Sequence, residues 1–160
     1  MITALVPGSY DPITLGHLDI ITRASVLFDR VIVLVSPNSA KNYMFDEQTR
    51  AELAKDAVKN LKNVSVDIYG GLLADYSHNN KVDVIVKGIR NSADYEYENN
   101  MALSNTRLYD DIYSGQLETL FMPCSPQYSY ISSTLARVMI KRGCNLSEII
   151  PNENLLKSFL

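Results

Sequence analysis

The sequence predicts an α/β fold: a five-stranded parallel sheet with helices on both faces. Three observations predict it. Five strand-length apolar runs alternate with helical patterns along the 160 residues. One run, Val31 to Val35, is continuously apolar, as suits a parallel strand covered on both sides. No repeat, low-complexity stretch or linker interrupts the alternation, so one domain is expected over 1–160.

The elements follow in order. Ile2 to Val6 reads as a strand stopped by Pro7-Gly8. Ile20, Ile21, Ala24, Leu27 and Phe28 then recur at helical spacing and are expected to share one buried face. Val31 to Val35 is the second strand, closed by Ser36-Pro37-Asn38. A helix should begin near Asp46, with Glu47 in its first turn and Ala54, Ala57, Val58 and Leu61 as its apolar stripe. Val64 to Ile68 is the third strand, and Gly70-Gly71 separates it from a short helix at about 72–78.

Val82 to Val86 reads as the fourth strand, ending in Lys87-Gly88-Ile89-Arg90. A long helix is expected over Tyr95 to Ile112, with Met101, Leu108 and Ile112 on one side. Leu117 to Met122 is the fifth strand, and a helix at about 133–142 should end at Gly143. Pro151 opens a last short helix with Leu155, Leu156 and Phe159 apolar. Crossovers between parallel strands are right-handed, which puts helices on both faces.

Composition narrows the function. Fifteen Lys and Arg against eighteen Asp and Glu leave a net charge of −3. A general nucleic-acid binder would carry a basic surplus, so no nucleic-acid partner is expected. Cys124 and Cys144 form no C-x-x-C and no zinc-spaced cluster, and no protein-held metal is expected. The first residues do not read as a signal peptide, and the apolar runs are too short to cross a bilayer. The expectation is a soluble, cytoplasmic protein with no membrane partner.

Open parallel sheets bind ligands at the carboxyl ends of their strands, and four of those ends here carry anion-compatible residues. P-G-S-Y-D-P-I-T-L-G-H (7–17) offers glycines for backbone approach, the Ser9 hydroxyl, and His17 near a helix start. Alone, such a Gly-His segment is more often a turn than a site. It is neither a dinucleotide fingerprint nor a P-loop. Lys41 lies in the loop after strand two, where a lysine is usually just solvated. Lys87 and Arg90 flank strand four, and Arg90 can give phosphate a bidentate fork. Ser129, Ser132, Ser133 and Thr134 gather hydroxyls at a helix start, although capping needs only one.

Glu96 and Glu98 fall on different helix faces, which disfavours a paired-carboxylate hydrolase. No nucleophile elbow is present, and neither cysteine has an evident base. His78 reads as a surface residue. The residues alone therefore point to several phosphates held at one sheet edge, and to direct phosphoryl or nucleotidyl transfer.

Three segments also resemble a known family. P-G-S-Y-D-P-I-T-L-G-H, K-G-I-R-N-S-A-D-Y-E-Y-E and Y-S-Y-I-S-S-T are similar, in order and spacing, to the signatures of bacterial phosphopantetheine adenylyltransferases. These belong to the T/H-x-G-H nucleotidyltransferases. The resemblance covers essentially the whole chain. It implies a doubly wound, Rossmann-like fold and the reaction of ATP, with Mg²⁺, and 4′-phosphopantetheine to dephospho-coenzyme A and pyrophosphate. It further implies a homohexamer and feedback inhibition by coenzyme A.

Carried over by motif position, His17, Lys41 and Arg90 would be catalytic, with His17 stabilising the transition state. ATP would meet Ser9, Tyr10, His17, Gly88, Ile89, Arg90, Glu98, Tyr128, Ser129, Tyr130, Ile131, Ser132, Ser133 and Thr134. The acceptor would meet Ser9, Lys41, Leu73, Lys87 and Asn105. Ser9 stands for a frequent Thr, Tyr10 for Phe, Lys87 for Arg and Tyr128 for Trp. The alternatives are adenylyl transfer to another acceptor, such as nicotinamide mononucleotide, and a non-catalytic module that binds adenine nucleotides or coenzyme A.

Overall fold

The computed structural model describes residues 1–37 and 42–160. Five strands form one all-parallel sheet: β1 (Thr3–Gly8), β2 (Arg30–Val35), β3 (Val64–Ile68), β4 (Val84–Ile89) and β5 (Glu118–Pro123). Their order across the sheet is β3-β2-β1-β4-β5. The chain winds outward from β1 to one edge, then returns past β1 to build the other. The expected α/β architecture is the observed one.

The pleat sends alternate residues to opposite faces. On one face Ala4, Val6, Val31, Val33 and Val35 meet α1 (Leu15–Leu27), α2 (Glu47–Val58), α5 (Ser133–Lys141) and α6 (Glu153–Lys157). On the other, Leu5, Ile32, Leu34 and Ile85 meet α3 (Leu73–Asn79) and α4 (Ser92–Tyr113). This two-sided burial explains why β1 and β2 are apolar without alternation. Helix starts are held by side-chain caps: Thr14 for α1, Asp46 for α2, Asn91 for α4 and Ser132 for α5. Helix α5 stops before Gly143, as expected.

Several boundaries and faces differ from expectation. β1 continues through Pro7 and Gly8 instead of stopping before them. β4 is Val84–Ile89, not Val82–Val86, so Lys87, Gly88 and Ile89 belong to the strand itself. α4 starts three residues early, at Ser92, because the Asn91 side chain accepts from Asp94 N–H at 2.9 Å. Leu27 is exposed, since α1 ends there, whereas Ile20, Ile21 and Ala24 are buried and Phe28 packs against the core. Met101, Leu108 and Ile112 share a side of α4 but are also exposed in the single chain.

One local feature sets the site. β1 pairs with β2 over its whole length, Thr3↔Arg30 to Gly8↔Val35. It pairs with β4 only at Ala4↔Val84 and Leu5↔Ile85. Beyond Leu5 the two strands part. Pro7 lies where they do, and its carbonyl accepts from Lys87 Nζ of β4 at 3.4 Å. In a parallel strand a residue's N and O face the same neighbour. Pro7 therefore withholds its missing N–H from an edge where no ladder continues.

Leu5 is fully buried at the last paired position of this divide. Leu5→Ala should destabilise the protein by about 2–5 kcal/mol. A urea titration should show a lower midpoint with an unchanged slope.

Candidate active site

The parting of β1 and β4 opens a cleft of about 640 Å³ at the carboxyl end of the sheet. This is the switch point, where strand order reverses and where such sheets take ligands. A second hollow, about 510 Å³, lies between the end of α5 and α6. It lacks the strand-end chemistry, and its charged pair, Glu153 and Lys157, is already joined at 2.8 Å.

The floor is the β1–α1 turn. Tyr10 takes a left-handed backbone, φ 48°, which is costly for a non-glycine residue. Its ring is buried beneath the turn, and its hydroxyl donates to the Val6 carbonyl at 2.7 Å. A Cβ on Gly8 would come within 2.9 Å of that ring, so only glycine lets the strand pass over it. Burial pushes the Tyr10 phenol pKa up. Tyr10 was expected at ATP, but its side chain is spent on the turn and only its backbone can face a ligand.

His17 occupies the third position of α1 and closes a capping box with Thr14. Thr14 N–H donates to His17 Nδ1 at 3.1 Å, and Thr14 Oγ1 accepts from His17 N–H at 3.5 Å. The edge of the Tyr10 ring packs on the imidazole, with centroids 5.1 Å apart. Part of the residue opens to the cleft, but this packing strips water from the ring. Burial, and then the charge of Arg90, lower the His17 pKa to about 4. His17 is thus neutral near pH 7. With Nδ1 engaged as acceptor, the proton sits on Nε2, which makes Nε2–H the free donor.

β4 supplies the cations. Lys87 Nζ is 3.1 Å from Glu98 Oε2 of α4. Arg90 Nε and Nη2 donate to the Asp94 carboxylate at 2.8 and 3.0 Å. Arg90 Nη1 donates to the Ile131 carbonyl at 3.2 Å. The Arg90 fork holds Asp94 below its ordinary carboxylate range. Gly88 sits between the two cations, where a Cβ would lie 2.8 Å from Ile20 Cγ1 of α1. Each cation thus has an acid partner on α4, one helical turn apart.

The far wall comes from the β5–α5 segment. The expected hydroxyl cluster is already in use. Ser132 caps α5 by accepting from Leu135 N–H at 3.1 Å. Ser133 Oγ donates to the Pro12 carbonyl at 2.9 Å, and Thr134 Oγ1 accepts from Arg137 at 3.2 Å. Asp19 of α1 accepts from the Ser125 hydroxyl at 2.9 Å and from its N–H at 3.2 Å, which fastens the wall to α1.

Of the residues singled out from sequence, most line this one cleft: Ser9, Tyr10, His17, Leu73, Lys87, Gly88, Arg90, Glu98, Asn105, Tyr128, Ile131, Ser132, Ser133 and Thr134. Three do not. Ile89 alternates away from Gly88 along β4, and its carbonyl accepts from Cys124 N–H at 2.9 Å. Ser129 closes the 3-10 turn Pro126–Tyr128 by donating to the Pro126 carbonyl at 2.9 Å. Tyr130 is turned out by that same turn and is 59% exposed. Lys41 lies outside the described residues. His78 is exposed, as expected, but stacks on Tyr113 with centroids 3.9 Å apart.

Sequence reading missed Asp94. Its signal was present in the spacing, four residues after Arg90 at a helix start. Tyr97 and Met101 of α4 also face the cleft and gave no signal beyond their helical position.

Comparison with known proteins accords with this geometry. The cytidylyltransferase-like family model matches residues 5–139. A phosphopantetheine adenylyltransferase of Caldanaerobacter subterraneus subsp. tengcongensis is 43% identical, across 99% of this chain and 98% of that one. Those of Thermotoga neapolitana and Corynebacterium diphtheriae are 41% and 46% identical, over 94% and 92% of this chain and 90% of each of theirs. The chain belongs to this family. The fold reaches further. A solved putative nicotinate-nucleotide adenylyltransferase from Vibrio parahaemolyticus superposes with a TM-score of 0.67 at 21% identity, over 98% of this chain and 93% of that one. A lipopolysaccharide core biosynthesis protein from Thermoplasma volcanium GSS1 gives 0.58 at 23%, over 78% of this chain and 98% of that one. At these identities the likeness is one of fold.

The lowered pKa of His17 has a consequence for stability. In the unfolded chain the imidazole takes up a proton near pH 6.5, while in the fold it resists until about pH 4. The stability tied to its neutral form is therefore complete above about pH 6.5 and is lost as pH falls through 4, up to about 3 kcal/mol. Imidazole ¹⁵N NMR should show His17 titrating near 4, and His17→Gln should flatten acid unfolding between pH 6.5 and 4.

Proposed function

We propose that this protein transfers the adenylyl group of ATP to 4′-phosphopantetheine, giving dephospho-coenzyme A and pyrophosphate in coenzyme A biosynthesis. One observation carries the reading within the family: His17, Lys87 and Arg90 converge on a single cleft at the switch point. That cleft can hold two phosphate-bearing substrates between β1 and β4.

An oxygen of the acceptor phosphate attacks the α-phosphorus of ATP in line. A new P–O bond forms as the bond to the bridging oxygen breaks, and pyrophosphate leaves with its electron pair. The acceptor phosphate is already a nucleophile at neutral pH, so no general base is required. The protein's work is to align two mutually repelling anions and to balance charge growing on the phosphoryl oxygens. His17 Nε2–H donates to those oxygens, and its neutrality spares any proton release.

Arg90 holds ATP phosphate oxygens. Lys87 and Lys41 neutralise the acceptor phosphate, Lys87 as a point charge in place of a fork. The adenosine lies toward Gly88, Tyr128 and Ile131, and the pantetheine arm toward Leu73 and Asn105.

Magnesium enters as part of the MgATP substrate. Among the described residues no three His, Cys, Asp or Glu side chains gather into a metal site. The two cleft carboxylates, Asp94 and Glu98, are engaged by Arg90 and Lys87. Magnesium held mainly by substrate phosphates suits such a donor set.

The proposal extends to a homohexamer and to feedback binding of coenzyme A in the same cleft. The assembly is supported by apolar side chains that α4 leaves exposed away from the cleft, Leu103, Leu108 and Ile112. A cytoplasmic site of action suits an enzyme that consumes ATP, and no helix among the described residues is long and apolar enough to cross a membrane.

Two measurements test this reading. Purified protein with MgATP should release pyrophosphate with 4′-phosphopantetheine and not with nicotinamide mononucleotide. His17→Ala should lower kcat by about 10²–10³ with much smaller effects on KM. Release only with the mononucleotide would keep the mechanism and change the acceptor, whereas ATP binding without release would leave a binding module. Mass photometry should give six chains per particle, and Leu108→Glu should dissociate it if α4 forms the contact.

A further inference from the structure

A buried arginine lies behind the phosphate site, and neither the sequence motifs nor the mechanism above use it. Arg50 of α2 is 2% exposed and does not line the cleft. Its Nη1 donates to the Ser9 carbonyl at 2.6 Å. Its guanidinium lies 4.0 Å from the centroid of the Tyr43 ring, a cation–π contact. Among the described residues no carboxylate comes within ion-pair distance, and Nε has no hydrogen-bond partner. A buried guanidinium with no carboxylate at ion-pair distance is costly to keep, although, behind the bond from Thr49 N–H, its field helps to hold the Asp46 carboxyl below its ordinary range. Its cost is explained if the charge and the Nη1 donor both serve the neighbouring turn.

That turn is gripped from outside at three of its carbonyls. Arg50 takes Ser9. Arg137 of α5 takes Asp11 at 2.7 Å, and Ser133 takes Pro12 at 2.9 Å. In a trans peptide the carbonyl of one residue and the N–H of the next point opposite ways. Drawing the Ser9 carbonyl toward α2 turns the Tyr10 N–H away from α2, toward the side where Ser9 and Tyr10 line the cleft. Arg50 thereby stabilises the left-handed Tyr10 conformation that the turn requires. The geometry points to Arg50 as a positioning residue for adenylyl transfer, aiming the Ser9–Tyr10 peptide at the ATP phosphates and backing it with fixed positive charge.

This assignment rests on the adenylyltransferase reading and deepens it. A purely structural arginine would change stability and leave turnover per folded molecule intact. A positioning arginine acts on the ATP phosphates already in the ground state and most strongly in the transition state, where small displacements of a donor are amplified. Its loss should appear in kcat, with the KM for the acceptor unmoved.

The test uses Arg50→Met, which keeps the aliphatic stem, and Arg50→Lys, which keeps the charge but loses the fork. Pyrophosphate release would be measured with MgATP and 4′-phosphopantetheine, with folded fraction set by thermal melting. Arg50→Met is expected to lose about 10–100-fold in kcat, and Arg50→Lys to recover only part of that loss. Should Arg50→Met fail to fold, Arg50→Lys alone decides, and a kcat drop of about fivefold or more with constant acceptor KM supports the role.

Normal kcat in a folded variant, or a change in acceptor KM alone, overturns it. An inactive wild type would instead defeat the adenylyl-transfer reading. Titration of a non-hydrolysable ATP analogue would then decide for Arg50 separately. Weakening by the variants supports the aimed peptide, and unchanged binding overturns it.

Discussion

Everything functional in this molecule depends on β1 and β4 sharing only two register positions before they separate. A sheet that stayed zipped from β3 to β5 would have no crevice at its switch point. The separation is written into the chemistry of the two strands. Pro7 offers no N–H to β4, and Lys87, two residues past the last paired position of β4, reaches across to the Pro7 carbonyl. The space left between the strands is then walled by the segments that follow each of them. A hydrophobic core on both faces keeps the strands rigid enough to hold that opening without collapse.

The electrostatics of the cleft are arranged on the same frame. The chain is acidic overall, so a site for polyanions must concentrate its cations locally. β4 does this with Lys87 and Arg90, while the first two turns of α4 supply Glu98 and Asp94 as their partners. Pairing keeps two cations side by side when no anion is bound and fixes their direction. Arg90 is held most firmly, by two bonds to Asp94 and one to the Ile131 carbonyl, so it joins α4 to the β5–α5 wall. Its field also helps to keep His17 neutral. Arg90 and His17 thus line the cleft together, while Arg50 lies buried behind its β1–α1 turn.

Much of this was legible in the residues. The apolar runs located all five strands, and the helix starts near Asp46 and among the hydroxyls of 129–134 followed from side chains that compete for backbone N–H groups, whereas the Thr14 cap emerged only from the structure. Strand ends were less legible. Lys87 and Gly88 look like loop residues, yet they pair with Phe121 and Met122 in β5, because ladder partners override local propensity. Leu27, Met101, Leu108 and Ile112 have helical spacing but remain exposed, since periodicity reports a shared face and not what covers it. The resemblance placed Ile89, Ser129 and Tyr130 beside the nucleotide as members of contiguous motifs. They are not among the residues that line the cleft, although their motif neighbours are.

Residue types and their spacing sufficed for the alternation of strands and helices, the family, and the set of groups able to handle phosphate. These are local or compositional properties. Contacts made in the folded chain settled which nitrogen of His17 is free, which acid answers which cation, and that the Tyr10 ring is buried beneath its own turn. They alone showed that Arg50, an unremarkable helix residue in the sequence, reaches the Ser9 carbonyl from forty-one positions away. Proton placement, ion pairing and carbonyl direction depend on distances between elements remote in the chain. Such distances exist only once the sheet has brought those elements together.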